Sequence, residues 1–184
     1  MNRLLPLLLL LSLAVPAPAR ATSVLYLTDA EQAQQSDAVV LGTITAQRVE
    51  QHPTWNRLVT ISTVAVRETL HGKAPATLEV HQLKGSLRGV TEALPGSAEL
   101  AVDENVVLFL HSVEGRWYPT ALQQSKYRVV TSRLGTLLQR EPLTAALFER
   151  DAKGRLTPIE EPTRKPIYTL DDLKSVLLRV RGSK

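Results

Sequence analysis

The sequence contains no cysteine, and this absence sets the first limits on its chemistry. Without thiols the chain forms no disulfide, carries no thiolate nucleophile and has no Cys ligand for a metal. It also has no cysteine to carry the acyl group of a lipoprotein. Aromatic residues are few, with two Trp, four Tyr and two Phe in 184 residues. Valine, leucine and isoleucine must therefore build most of the hydrophobic core.

Long apolar runs are missing beyond the N-terminus. There, Arg3 precedes an apolar run over residues 4–15, and small residues surround Arg20 in the segment 19–21. This order is typical of a secretory signal peptide, and the run is shorter than the roughly 20 residues of a membrane-spanning helix. We expect cleavage after Ala21 and an exported, periplasmic or extracellular protein without a transmembrane segment; an uncleaved anchor is the alternative.

A large excess of one charge is missing too. The chain has 22 Lys and Arg against 18 Asp and Glu, and removal of residues 1–21 would leave 20 against 18. Six of these basic residues lie from Arg164 onward, against two Asp, so the body is mildly acidic and the tail basic. An exported body without a basic face argues against nucleic acid as a partner. The tail is typical of a solvated helix face, with contact to anionic lipid or another acidic surface as the alternative.

The length and the β-branched segments predict one mainly β domain. We expect a signal peptide over 1–21, a barrel domain over 22–160, and over 161–184 a proline-rich linker followed by a C-terminal helix that packs on the barrel. The β-branched composition predicts strands over residues 38–49, 58–68, 77–83, 106–112 and 126–131, and a hairpin joining 145–149 to 155–159.

Turn and capping residues mark the limits of these elements. Thr28 with Glu31, and Thr169 with Asp172, have the spacing of capping boxes and predict a short helix at each end of the domain. Gly42 lies inside a predicted strand, where glycine often marks a bulge or bend. Lys84 to Asn105 is the longest predicted loop. Short strands with helices at both ends predict a small antiparallel OB-like barrel, because closure removes exposed strand edges.

Several short motifs support this architecture through a family resemblance. The segments "SDAVVLGTIT", "TVAVRETLHG", "LEVHQLKG", "PGSAEL", "ENVVLFL" and "QSKYRVV" resemble a group of uncharacterised bacterial exported proteins. Those proteins in turn resemble the OB-like barrel of tissue inhibitors of metalloproteinases and netrin-like modules. The resemblance covers residues 36–131 and implies a fold.

The resemblance transfers no functional residue. His71, Lys84 with Gly85, Asp103 and Ser125 depart from the usual pattern of the bacterial group, which has lysine or glycine at these points. The metalloproteinase inhibitors place an N-terminal cysteine on the zinc of the enzyme. Because this chain has no cysteine, their mechanism does not apply to it.

No residue pattern indicates catalysis or a cofactor. The four histidines, which are His52, His71, His81 and His111, lack metal-ligand spacing. None of the loop serines, which are Ser86, Ser97 and Ser125, lies in a Gly-x-Ser-x-Gly elbow. On the strand pattern, His81 faces solvent. We therefore expect no catalytic residue, no metal site and no cofactor.

A non-enzymatic binding module is the function that remains. Trp55 lies in a predicted turn, and Lys84, Leu87 and Arg88 lie in the long loop, so these four residues form the predicted binding surface. We expect Trp117 to plug one end of the barrel. The partner would be another exported protein, and the chain an inhibitor or accessory of an exported protease. The alternatives are an oligosaccharide or oligonucleotide binder with a stacking face at Lys126, Tyr127 and Arg128, an enzyme, or a structural envelope protein.

Overall fold

Strands dominate the structure, a computed structural model that describes residues 23–133, 135–162 and 167–182. The predicted signal peptide lies outside these residues. The elements in chain order are β1 (Ser23–Leu25), α1 (Asp29–Gln35), β2 (Ala38–Gln51), β3 (Leu58–Gly72), β4 (Thr77–Gln82), β5 (Gly85–Leu87), β6 (Val90–Glu92), β7 (Asn105–Val113), β8 (Arg116–Pro119), a 3₁₀ helix (Leu122–Ser125), β9 (Lys126–Ser132), β10 (Gly135–Gln139), β11 (Ala146–Arg150), β12 (Leu156–Ile159) and α2 (Leu170–Arg181). The prediction of a mainly β chain is confirmed.

The main sheet has seven strands and closes on itself over part of its width. Its order is β10-β9-β7-β2-β3-β4-β8, and β8 also pairs with β7. The strands β2, β3, β4, β8 and β7 therefore form a ring. All pairings in this sheet are antiparallel except that of β4 with β8, where Val80 lies opposite Trp117. Two smaller sheets flank it, β1-β11-β12 and β5-β6.

Gly42 produces the bend that the sequence predicts in β2. The register between β2 and β3 shifts between Leu41 and Gly42, and again on either side of this point. A Cβ atom on Gly42 would lie 2.6 Å from the backbone oxygen of Ala65. Only glycine fits this close approach of two backbones, and the bulge lets the long strands curve around the ring.

Each face of the central strands has its own core. On β2, Val39 and Leu41 belong to a cluster beneath the two helices, whereas Ala38 and Val40 belong to a cluster built from the ring strands. Phe109 of β7 is fully buried in the cluster beneath the helices. Both faces of these strands are covered, which explains their nearly continuous apolar sequences.

Helix α2 packs against the main sheet as the sequence predicts. Thr169 and Asp172 form the capping box at its start. Leu173, Leu177 and Val180 are buried against the cluster that contains Phe109. No helix in the described ranges is long and apolar enough to cross a membrane.

Four details differ from the sequence predictions. The predicted loop from Lys84 to Asn105 contains the hairpin β5–β6, and strands β1 and β10 were not predicted. Strand β3 extends to Gly72, whose φ of +70° lets the chain pass Asp37. The prediction that His81 faces solvent is wrong, because this side chain is buried beside Tyr118 of the neighbouring strand β8.

Candidate functional site

Trp55 occupies the exposed position that the sequence predicts. It lies in the turn between β2 and β3 and is 49% exposed. Its ring stacks on the buried His52 with centroids 4.1 Å apart. The Nδ1 atom of His52 accepts hydrogen bonds from the backbone N–H groups of Thr54 and Trp55, both at 3.3 Å. His52 therefore holds the turn in shape and presents the indole at the surface.

Leu87 and Arg88 lie on the β5–β6 hairpin, close to the same end of the sheet. Arg88 and Gly89 form its turn with φ values of +50° and +80°, the positive pair that a tight hairpin turn requires. Glu92 of β6 accepts hydrogen bonds from Arg57 Nε at 2.7 Å and from the Leu58 N–H at 3.0 Å. These bonds connect this hairpin to the turn that carries Trp55.

Lys84 does not share that exposed position. Its ammonium donates to the backbone oxygen of Ala98 at 2.9 Å and lies 2.9 Å from the Glu99 carboxylate. Its side chain is only 15% exposed. The structure thus gives Lys84 a role in fixing the segment after β6, and brings the other three predicted residues onto two connected hairpins.

A concave site lies away from the two hairpins, and its lining comes from α1, α2, β10 and the segments beside them. It is a groove of about 690 Å³, within the range of roughly 300–1,000 Å³ that is usual for ligand pockets. We call it the tyrosine groove, and its lining residues are Tyr26, Thr28, Asp29, Ala30, Tyr127, Leu138, Gln139, Arg140, Tyr168, Val176 and Arg179. Three of the four tyrosines of the chain line this one groove.

Asp29 is the polar centre of the tyrosine groove. Its carboxylate accepts hydrogen bonds from the hydroxyl of Tyr127 at 2.9 Å, from the hydroxyl of Tyr168 at 2.8 Å and from Nη2 of Arg140 at 2.9 Å. Asp29 lies in the first turn of α1, where a negative charge is also favoured by the helix dipole. Both carboxylate oxygens are thus occupied, and the two phenols are held in fixed positions.

Arg140 forms one wall of the groove. Its guanidinium carbon lies 4.1 Å from the centroid of the Tyr127 ring, a cation–π contact. The side chain is only 3% exposed, and its Nε–H is buried without a hydrogen-bond acceptor. A buried donor without a partner costs free energy.

Tyr168 is held in its protonated form. Burial and the negative charge of Asp29 raise the pKa of this phenol far above its usual value. The phenol therefore remains a hydrogen-bond donor at neutral pH. Its backbone oxygen accepts from the Leu138 N–H at 2.8 Å, which ties the segment before α2 to strand β10.

One charge on the rim of the groove is not neutralised by a described residue. Arg179, on the last turn of α2, lines the groove beside Val176 and is exposed. It makes no ion pair within the described ranges. Since Asp29 and Arg140 offset one another, the groove carries one net positive charge.

A second, smaller pocket of about 190 Å³ lies beside β4, β7 and β8. His81 and His111 flank Tyr118 on either side, each with a ring-centroid separation of 5.7 Å. Ser97, one of the loop serines, also lines it. Burial lowers the pKa of His81 and favours its neutral form. The described part of the chain brings no three His, Asp or Glu side chains together as a metal site.

The stacking face predicted around β9 is not available. Tyr127 and Lys126 are 4% and 6% exposed, and of the three residues only Arg128 reaches the surface. Lys126 instead forms a buried ion pair with Glu104 at 2.8 Å. The groove itself could not be predicted, because its residues come from α1, β9, β10 and α2 and share no local motif.

Comparison with known proteins finds no relative. No protein-family model matches the chain, and no curated protein or solved structure matches it either. The resemblance to the netrin-like and metalloproteinase-inhibitor barrels therefore stays a prediction.

Proposed function

We propose that this chain is an exported, non-enzymatic binding module that binds another exported protein through the tyrosine groove. The observation that carries the proposal is the groove of about 690 Å³ with three tyrosines and a fixed Asp29–Arg140 pair. An inhibitor or accessory of an exported protease fits this role, on an OB-like barrel of the netrin type.

The composition of the groove suits protein recognition. Tyrosine and arginine are enriched in the energetically dominant parts of protein interfaces, because they bury a large area and keep a polar end. The hydrogen bonds of Asp29 position Tyr127 and Tyr168 before any ligand arrives. A site that is already ordered loses less conformational entropy on binding.

The state of Asp29 supports binding rather than catalysis. A general base needs a lone pair within hydrogen-bond reach of the proton that it removes. Three donors, on Tyr127, Tyr168 and Arg140, already occupy most of the acceptor sites of the Asp29 carboxylate. The same geometry makes this carboxylate a suitable support for the walls of a binding site.

A pull-down from envelope and culture-fluid extract tests the proposal. The bait is the purified protein, and the comparison is Gln139→Trp, which places a large ring in the groove from an exposed position on β10. Thr131→Trp adds the same ring at an exposed position on β9 that does not line the groove. We expect one enriched exported protein that the wild type and Thr131→Trp retain and Gln139→Trp loses. Equal capture by all three proteins would show that the partner does not bind in the groove. The absence of any enriched protein would overturn the proposed binding of an exported protein.

An oligosaccharide is the second candidate, favoured by the half-buried rings of Tyr26 and Tyr168 in one groove. Aromatic rings bind the apolar faces of ligands while their hydroxyls meet polar groups. A glycan array probed with the wild type and Gln139→Trp decides this point. A glycan that binds only the wild type, together with a pull-down without a protein partner, would favour this second candidate.

A further inference from the structure

The charged residues of the tyrosine groove indicate which charge its ligand carries. Asp29 is neutralised by Arg140 at 2.9 Å. The exposed guanidinium of Arg179 lines the groove and makes no ion pair with a described residue. What the groove lacks is therefore a negatively charged acceptor.

The rest of the lining is mainly apolar or aromatic. Ala30, Leu138, Val176 and the rings of Tyr26 and Tyr168 form most of the remaining wall. A ligand with only charged and polar groups would gain nothing from these apolar surfaces, whereas an apolar group would remove them from water. The fitting ligand therefore combines an apolar or aromatic group with an acid.

We propose that the tyrosine groove binds an acidic peptide segment, in which an aromatic or branched aliphatic side chain enters the groove and a neighbouring carboxylate pairs with Arg179. This inference rests on the proposed function, because it assumes a protein partner. Carboxylates form two parallel hydrogen bonds with a guanidinium, which fixes their orientation as well as their position.

Isothermal titration calorimetry with two synthetic peptides tests the inference. The acidic probe is N-acetyl-Glu-Phe-Glu-Leu-amide, and the neutral probe has glutamine in place of both glutamates. We expect the acidic peptide to bind the wild type about tenfold more tightly than the neutral one, and this preference to shrink as NaCl rises from about 50 to about 500 mM.

Arg179→Gln locates the effect within the protein. We expect it to reduce the affinity for the acidic peptide about tenfold and to leave that for the neutral peptide unchanged. Arg67→Gln is the matched control, since Arg67 is an exposed arginine on β3 that does not line the groove. Far-UV circular dichroism on both variants checks that the fold is retained.

Each adverse outcome overturns the inference. Equal affinity for the two peptides, no binding of either peptide, or an Arg179→Gln variant that binds like the wild type would each do so. Tighter binding of free phenylacetate or of an acidic oligosaccharide than of the acidic peptide would also overturn it.

The inference and the proposed function can fail separately. A protein partner that is lost with Gln139→Trp but retained with Arg179→Gln would support the proposed function and remove the acidic peptide. Binding of the acidic peptide without any captured protein would support the peptide specificity of the groove and contradict the proposed protein partner.

Discussion

The hydroxyl of Tyr168 donates a hydrogen bond of 2.8 Å to the carboxylate of Asp29, across 139 positions of the chain. This bond joins the segment before α2 to the first turn of α1. Tyr127 and Arg140 complete the set of donors around the same carboxylate. The stability of the groove therefore depends on a few hydrogen bonds to one charged group.

Removal of the Tyr168 hydroxyl tests this dependence. We expect Tyr168→Phe to lower the free energy of unfolding by about 1–2 kcal/mol, because Asp29 loses one charge-assisted hydrogen bond while the ring remains in place. Urea denaturation measures the change. Tyr118→Phe is the matched control, because its hydroxyl makes no hydrogen bond with a described residue, and it should change the value by less than about 0.5 kcal/mol. Equal losses in the two variants would contradict the role given to Asp29.

The ion pair between Lys126 and Glu104 predicts a larger effect. Both side chains are 6% exposed, so Lys126→Met leaves a carboxylate largely buried. Its remaining partners are Arg128 Nε at 3.3 Å and the Ala101 N–H at 3.2 Å. We expect a loss of about 3 kcal/mol. The double variant Lys126→Met with Glu104→Leu should recover part of that loss, since the buried charge is gone. A double variant less stable than the single one would contradict this explanation.

His81 predicts a loss of stability in weak acid. Burial, reinforced by the charges of Arg116 and Arg48 and opposed by those of Glu79 and Glu50, lowers its pKa below the ordinary value of 6.5. The unfolded chain therefore binds a proton at higher pH than the folded one, so the free energy of unfolding rises with pH through this range. The contribution is complete above pH 6.5 and is lost as pH falls through the pKa of the folded state.

Urea midpoints at pH 8, 7, 6 and 5 measure this dependence. We expect a falling midpoint below about pH 6.5 in the wild type and a flatter profile in His81→Gln. An equally steep fall in the variant would assign the effect to other groups.

Gly72 predicts a strong intolerance to any side chain. A Cβ atom there would lie 1.8 Å from the backbone oxygen of Asp37, and its φ is +70°. We expect Gly72→Ala to cost about 3 kcal/mol or more, because backbone has to move. Gly115→Ala is the control, with φ of +77° and nothing within 4 Å of its Cβ; it should cost only about 1–2 kcal/mol. Thermal denaturation of both variants compares them.

The sequence predicted those elements whose signals are local. Thr28 with Glu31 and Thr169 with Asp172 form the capping boxes expected of them, because such a box needs only residues three apart. Gly154 lies in the turn between β11 and β12 with a φ of +80°. Gly42 marks the bulge in β2 for the same reason, because a single glycine in a strand is a local signal that two backbones approach closely.

The elements that were missed depend on distant partners. Strand β1 is three residues long and exists by pairing in parallel with β11. Strand β10 contacts Tyr168 on its other edge, where the Leu138 N–H donates to the Tyr168 backbone oxygen. His81 alternates towards the outside of its strand, yet Tyr118 of β8 covers it. For the site, Trp55 was placed correctly at the surface, whereas Tyr26, Asp29, Arg140 and Tyr168 have no shared motif that a sequence pattern detects.

The long separations within the groove also have a kinetic consequence. Tyr127, Arg140 and Tyr168 reach Asp29 across 98, 111 and 139 positions, and contacts between distant segments carry a high loop-closure cost. We therefore expect the groove to be assembled late, after the local hairpins and when α2 docks on the sheet. A ligand that recognises the completed groove would bind only fully folded molecules, and binding would protect the C-terminal helix from local opening and proteolysis.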